Sequence, residues 1–177
     1  MLDALLLIVA LAGRICAGLI FATAAVQKMR HWRVLEGVVG NYRLLPHRLV
    51  KPAAVLLPPV ELALGAALLA DATAPAAPVA GAALLLLFAG AMAINIARGR
   101  GHIDCGCHQS FLRQALSPIL VARNAVLALL LLPAMLVHGA PNAVSSATGI
   151  AGGLAFFLLY HVVNLIAALP KPAPMAT

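Results

Sequence analysis

Apolar residues run through this chain in five blocks, at 3–26, 49–70, 78–97, 117–138 and 148–169, and most of the charge sits between them. Each block is close to the ~20 residues that cross ~30 Å of hydrocarbon at ~1.5 Å per residue. The blocks are rich in Ala and Leu and lack the alternation of a membrane β-strand, so they predict helices, which satisfy their backbone N–H and C=O groups within one segment. The expected fold is all-α: a single polytopic bundle over 1–170, built from about five transmembrane helices, with a disordered Pro-rich tail over 171–177. Pro52, Pro58 and Pro59 predict a kink or a re-satisfied backbone in the second helix. Gly149, Gly152 and Gly153 predict that another helix approaches the fifth closely. The first block reads as a retained helix and not a cleaved leader, because Asp3 stands where a basic segment belongs and Arg14 interrupts the apolar run.

Composition agrees with this pattern. The chain is 63% hydrophobic and 10% charged, with a mean hydropathy of +1.02; a soluble domain is nearer half apolar and a quarter charged. The net charge of +7 raises the question of nucleic acid, but its placement argues against it. Lys28, Arg30, Arg33, Arg43, Arg48 and Lys51 surround the first loop, and Arg98, Arg100 and Arg113 the third. The loops at 71–77 and 139–147 contain no Lys or Arg. By the positive-inside rule the N-terminus lies outside, loops one and three lie in the cytoplasm and the C-terminus lies inside, in a bacterial inner membrane. Arg30-His31-Trp32-Arg33 reads as an interfacial anchor.

The densest chemistry lies at Arg98-Gly99-Arg100-Gly101-His102-Ile103-Asp104-Cys105-Gly106-Cys107-His108. Glycine between two cysteines permits the tight ring of a Cys105–Cys107 disulfide, and the small ring makes it strained and exchangeable. Arg98, Arg100 and a histidine nearby favour thiolate, the nucleophilic form, and Asp104 opposes them slightly. The same segment offers a second reading, with His102, Cys105, Cys107 and His108 as ligands of zinc or a softer metal. Cys16, in the first helix, reads as a small buried hydrophobe.

Charges inside the spans form another group. Arg14 and Glu61 are both about 14–15 Å from the outer ends of their blocks at ~1.5 Å per residue, which predicts an ion pair between them. Gln27, Lys28, Asn95, Arg123, Asn124, His161 and Asn164 fall in the inner half of the membrane, the half from which the thiols emerge. Polar groups in lipid face the bundle interior, so they are expected to converge there.

Arg14, Gly18, Phe21, Ala25-Val26-Gln27-Lys28, Asn41-Tyr42-Arg43-Leu44-Leu45-Pro46, Glu61, Arg98-Gly99-Arg100, Asp104-Cys105-Gly106-Cys107 and Arg123-Asn124 together resemble the methylamine-utilisation MauE family, relatives of the DoxX-like membrane proteins. The resemblance covers roughly 12–130, and its most specific element is Asp-Cys-Gly-Cys. The family usually has Phe-Gly after the second cysteine where this chain has His108-Gln109, a departure that favours a ligand role for His108. The resemblance implies thiol–disulfide exchange during maturation of periplasmic disulfide proteins, beside a thioredoxin-like partner. Cys105 and Cys107 are then the exchanging pair, with Arg98, Arg100, Asp104, His108, Arg123, Asn124 and Lys28 in support, and a quinone or a metal remains open as cofactor. Two other classes compete: a metal or small-molecule transporter using the Cys/His loop for capture, and a non-catalytic assembly factor.

Overall fold

A computed structural model of the chain describes residues 2–70, 75–106, 115–137 and 142–168. The described residues are 86% helical and contain no strand. The helices are α1 (Leu2–Arg30), α2 (Trp32–Tyr42), α3 (His47–Ala70), α4 (Ala76–Ala97), α5 (Pro118–Leu130), α6 (Leu132–Leu136) and α7 (Ala143–Ala168). Among the described residues five spans are long and apolar enough to cross a membrane: Asp3–Arg30, His47–Ala70, Ala76–Ala97, Pro118–Leu136 and Ala143–Ile166. The protein is therefore a multi-pass membrane protein of five apolar helices. The tail over 171–177 lies outside the described residues.

Two features depart from the block pattern. The fourth span is made of α5 and α6, which meet at Leu131. Pro133 has no N–H to continue the ladder, and the helix resumes at Leu132. The first loop contains α2, whose Leu35, Val38, Val39 and Tyr42 recur at the spacing of one helical face. Trp32 at its start is 52% exposed. In α3 the helix runs through Pro52, Pro58 and Pro59 without interruption.

α1 is the centre of the bundle. It packs against α3 on one side and α7 on another, while α4 packs on α5. The main core gathers Cys16, Ala17, Ile20 and Phe21 of α1 with Leu68 of α3, Leu85 of α4, Leu127 of α5 and Tyr160 of α7. Cys16 is 1% exposed, consistent with a packing role.

Small residues set the helix spacing. A Cβ on Gly153 meets Ile15 Cβ at 2.7 Å and one on Gly149 meets Leu11 at 2.8 Å, so α7 approaches α1 closely where its glycines predicted it. On the other side of α1, a Cβ on Gly65 falls 2.9 Å from both the Gly18 carbonyl oxygen and the Ala22 nitrogen. Because both obstacles are backbone, Gly65→Ala is expected to separate α1 from α3 and cost about 1–3 kcal/mol. Denaturant unfolding in detergent micelles measures this; an unchanged midpoint would mean that the helices part without penalty.

Candidate functional site

The segment after α4 folds back on itself. The backbone N–H of Arg98 caps α4 through the Ile94 carbonyl, and Gly99 follows with φ +70°. The Arg100 N–H then donates to the Asn95 carbonyl at 2.9 Å, and the Leu116 N–H to the Ile103 carbonyl at 3.1 Å. Asp104 pairs with Ala115 in an isolated antiparallel bridge. Ile103, Cys105, Leu116 and Leu120 join Met92 in a second apolar cluster, with Tyr42 packed against it.

α2 holds this segment in place. The Tyr42 hydroxyl donates to the Cys105 carbonyl at 3.0 Å. The Arg100 guanidinium donates to the Asn41 carbonyl at 2.6 Å, the Tyr42 carbonyl at 3.4 Å and Asn95 Oδ1 at 3.1 Å. Arg100 thus joins the C-terminal end of α2 to the end of α4, which brings loops one and three onto one face. Asp104 Oδ1 accepts from the Gly106 N–H at 3.2 Å. Gly106 has φ +68°, and a Cβ there would stand 2.6 Å from Val38 Cγ1.

Beside this segment lies a cavity of about 540 Å³, walled by the apolar face of α2, the first half of α3 and the second half of α4, with Lys28, Cys105 and Gly106 among its lining residues. Lys28 is 5% exposed and Glu61 is 1% exposed. They form a buried salt bridge, and Lys28 Nζ lies 5.2 Å from the centre of the Phe88 ring.

The salt bridge gives Glu61 a partner that the expected pairing with Arg14 did not include. Glu61 bridges to Lys28, and Arg14 Nη2 donates to the Leu68 carbonyl at 3.0 Å. Leu68 lies two turns beyond Glu61, ~10 Å along the helix. Gly65 meets α1 at Gly18 and Ala22, a register that sets Glu61 beside the C-terminal end of α1 and Arg14 beside the last turn of α3.

The inner polar residues separate into two groups. Lys28 lines the cavity, and Asn95 holds Arg100. Arg123 lies across the bundle, donating to Asn164 Oδ1 and to Asn124 Oδ1 with its guanidinium 5.0 Å from the Tyr160 ring centre. His161 meets the Phe157 ring edge-on at 4.6 Å. Neither Arg123 nor Asn124 lines the cavity that holds Cys105. Arg98 and His102 are exposed.

Cys107, His108 and Arg113 lie outside the described residues. Among the described residues, no group of three or more His, Cys, Asp or Glu is placed to hold a metal ion. Sequence reasoning missed the contribution of α2, although its 35, 38, 39, 42 spacing carried the signal; Val38 and Phe88 had no chemical mark of their own.

The sequence profile described as "Methylamine utilisation protein MauE" matches residues 6–137. The chain is 43% identical over 161 residues to the Methylamine utilization protein MauE of Paracoccus denitrificans, covering 88% of this chain and 86% of that one. Against the MauE protein of Methylorubrum extorquens the identity is 42% over 158 residues, covering 88% and 85%. Against that of Methylophilus methylotrophus it is 36% over 170 residues, covering 92% and 87%. No solved structure matches. With its five apolar spans and a matching profile over most of its length, the chain belongs to the methylamine utilisation MauE family.

Proposed function

We propose that this protein is a membrane thiol–disulfide exchange protein, with Cys105 and Cys107 as the exchanging pair, acting on a thioredoxin-like partner during maturation of periplasmic disulfide proteins. The observation that carries this reading is Cys105 itself. It lines a cavity with Lys28, on a segment tied to α2 by Tyr42 and Arg100, and its sequence partner stands one glycine away. In the reaction a partner thiolate attacks the Cys105–Cys107 disulfide and one cysteine leaves as thiolate. A second partner thiolate then resolves the mixed disulfide, so the partner is oxidised and the cysteine pair reduced. The reverse sequence reduces a partner.

Lys28 lines the same cavity as Cys105, while Arg100 acts on the pair by positioning the segment. Changing only Cys107 to Ser in a Cys16→Ser background removes the resolving thiol. The expected result is a Cys105-linked mixed disulfide with a thioredoxin-fold protein, identified by non-reducing electrophoresis and mass spectrometry. Absence of any Cys105 adduct with such a protein, with the variant folded and inserted, sinks the reading.

The proposed orientation in a bacterial inner membrane is N-terminus outside and C-terminus inside, from the charge of loops one and three; it sets the thiols on the cytoplasmic side, so that serving periplasmic proteins means passing reducing equivalents across the bilayer. Single cysteines introduced by Arg33→Cys and Arg98→Cys, both exposed positions, test it in a chain lacking the native cysteines. Both are expected to resist a membrane-impermeant thiol reagent in intact cells and to react in inverted vesicles. Labelling of both in intact cells reverses the orientation.

A further inference from the structure

We infer that the cavity beside Cys105 is a binding site for a membrane quinone, which accepts the electron pair of the reduced Cys105–Cys107 dithiol. The inference rests on the exchange reading above and supplies the oxidant that reading needs in order to turn over.

The rim of the cavity includes Leu87 and Ile94 of α4, which are 63% and 44% exposed. In a membrane-spanning helix such residues face hydrocarbon, so a ligand enters from the lipid phase and is itself lipid-soluble. The volume, about 540 Å³, lies within the ~300–1,000 Å³ of small-molecule sites. It has room for one substituted ring, with an apolar tail leaving past the rim.

The polar groups on the wall choose among lipid-soluble molecules. The Lys28 ammonium has three N–H donors, and Glu61 Oε1 takes one. The others are suited to an acceptor in the cavity. The lining is otherwise apolar, so the negative charge of a phosphate headgroup would be desolvated there against an ammonium already bound to Glu61. A quinone carbonyl brings none. As that carbonyl is reduced, negative charge develops on its oxygen, where an ammonium already in place stabilises it. Phe88, whose ring lies beneath Lys28, adds an aromatic surface for the quinone ring.

The step balances. Two S–H bonds break and one S–S bond forms between Cys105 and Cys107. Two electrons and two protons pass to the quinone oxygens, giving one quinol.

The test uses the full chain in nanodiscs, reduced and free of oxygen, with decyl-ubiquinone as the probe; its fully substituted ring blocks thiol addition. Loss of quinone absorbance is followed alongside disulfide formation, and glutathione disulfide serves as a water-soluble oxidant for comparison. The blocking variant is Gly90→Phe, since Gly90 lines the cavity and a Cβ there meets nothing within 4 Å. The wild-type chain is expected to yield one quinol per disulfide, and Gly90→Phe to lower the ratio of the quinone rate to the glutathione rate at least tenfold. If glutathione disulfide oxidises the pair but decyl-ubiquinone does not, the quinone site is overturned and thiol exchange stands. If decyl-ubiquinone binds in equilibrium dialysis, is displaced by Gly90→Phe, and no oxidant forms the disulfide, the electron transfer is overturned together with the exchange reading, and only the binding survives. Retention of a phospholipid that Gly90→Phe releases and decyl-ubiquinone does not displace also overturns the quinone assignment.

Discussion

Lys28→Met is expected to lower the stability of the detergent-solubilised bundle by about 3–5 kcal/mol, and Lys28→Met with Glu61→Leu to recover most of that loss. The single change leaves Glu61, 1% exposed, with an apolar side chain where its ammonium partner stood. A buried carboxylate that has lost its ammonium is less well compensated for its desolvation or takes up a proton, and either is costly. The double change removes both charges and fills the space with hydrocarbon, so the desolvation penalty disappears together with the attraction. Chemical unfolding of the four chains of the cycle gives the coupling energy. A double variant no more stable than Lys28→Met would show that the pair is not what Glu61 depends on.

The same pair shows where linear sequence stops being informative. The five spans were legible because a membrane helix answers to local rules: enough apolar residues in a row, backbone bonds closed within the segment, and charges at the ends. The approach of α7 to α1 through Gly149 and Gly153 was legible for a similar reason, since a small side chain acts at its own position. The Arg14–Glu61 expectation left out the Lys28 partner, which depends on something non-local. It took depth from the ends of the apolar blocks, whereas α1 continues to Arg30 and its register against α3 is set by the contact of Gly18 and Ala22 with Gly65. Lys28, read both as a first-loop charge and as an inner-half polar residue of the first helix, is inside α1 and buried. α2 was obscured by its flanking basic residues, although Leu35, Val38, Val39 and Tyr42 form an apolar stripe. Of the candidate site, Cys105, Asp104, Arg100 and Lys28 were legible from residue type. Their arrangement was not, because it depends on Arg100 reaching the backbone of α2, a contact between residues 59 apart in sequence.

Gly106→Ala is expected to slow disulfide formation between Cys105 and Cys107 at least tenfold, with Val38→Ala recovering part of the loss. Two separate penalties meet at this glycine. Its φ of +68° lies in the left-handed region, where a Cβ costs about 1–2 kcal/mol. That Cβ would also stand 2.6 Å from Val38 Cγ1, and a β-branched side chain on a helix has essentially one χ1 well in which to sit, so it cannot swing aside. The segment is held against α2 by the Tyr42 and Arg100 bonds, and pushing Gly106 away from Val38 strains them and displaces Cys105 beside it. Val38→Ala removes the clash and leaves the backbone cost, so recovery should be partial. The measurement is the rate of oxidation by glutathione disulfide in a Cys16→Ser background, read by alkylation and mass spectrometry, with Cys105→Ser as the chain that forms no intramolecular disulfide. Melting in detergent runs in parallel, because a loss confined to global stability would appear in the melt without a matching loss of rate in the fraction still folded. A wild-type rate in Gly106→Ala would mean that the thiols do not depend on this packing, and no recovery with Val38→Ala would leave the backbone angle as the whole of the effect.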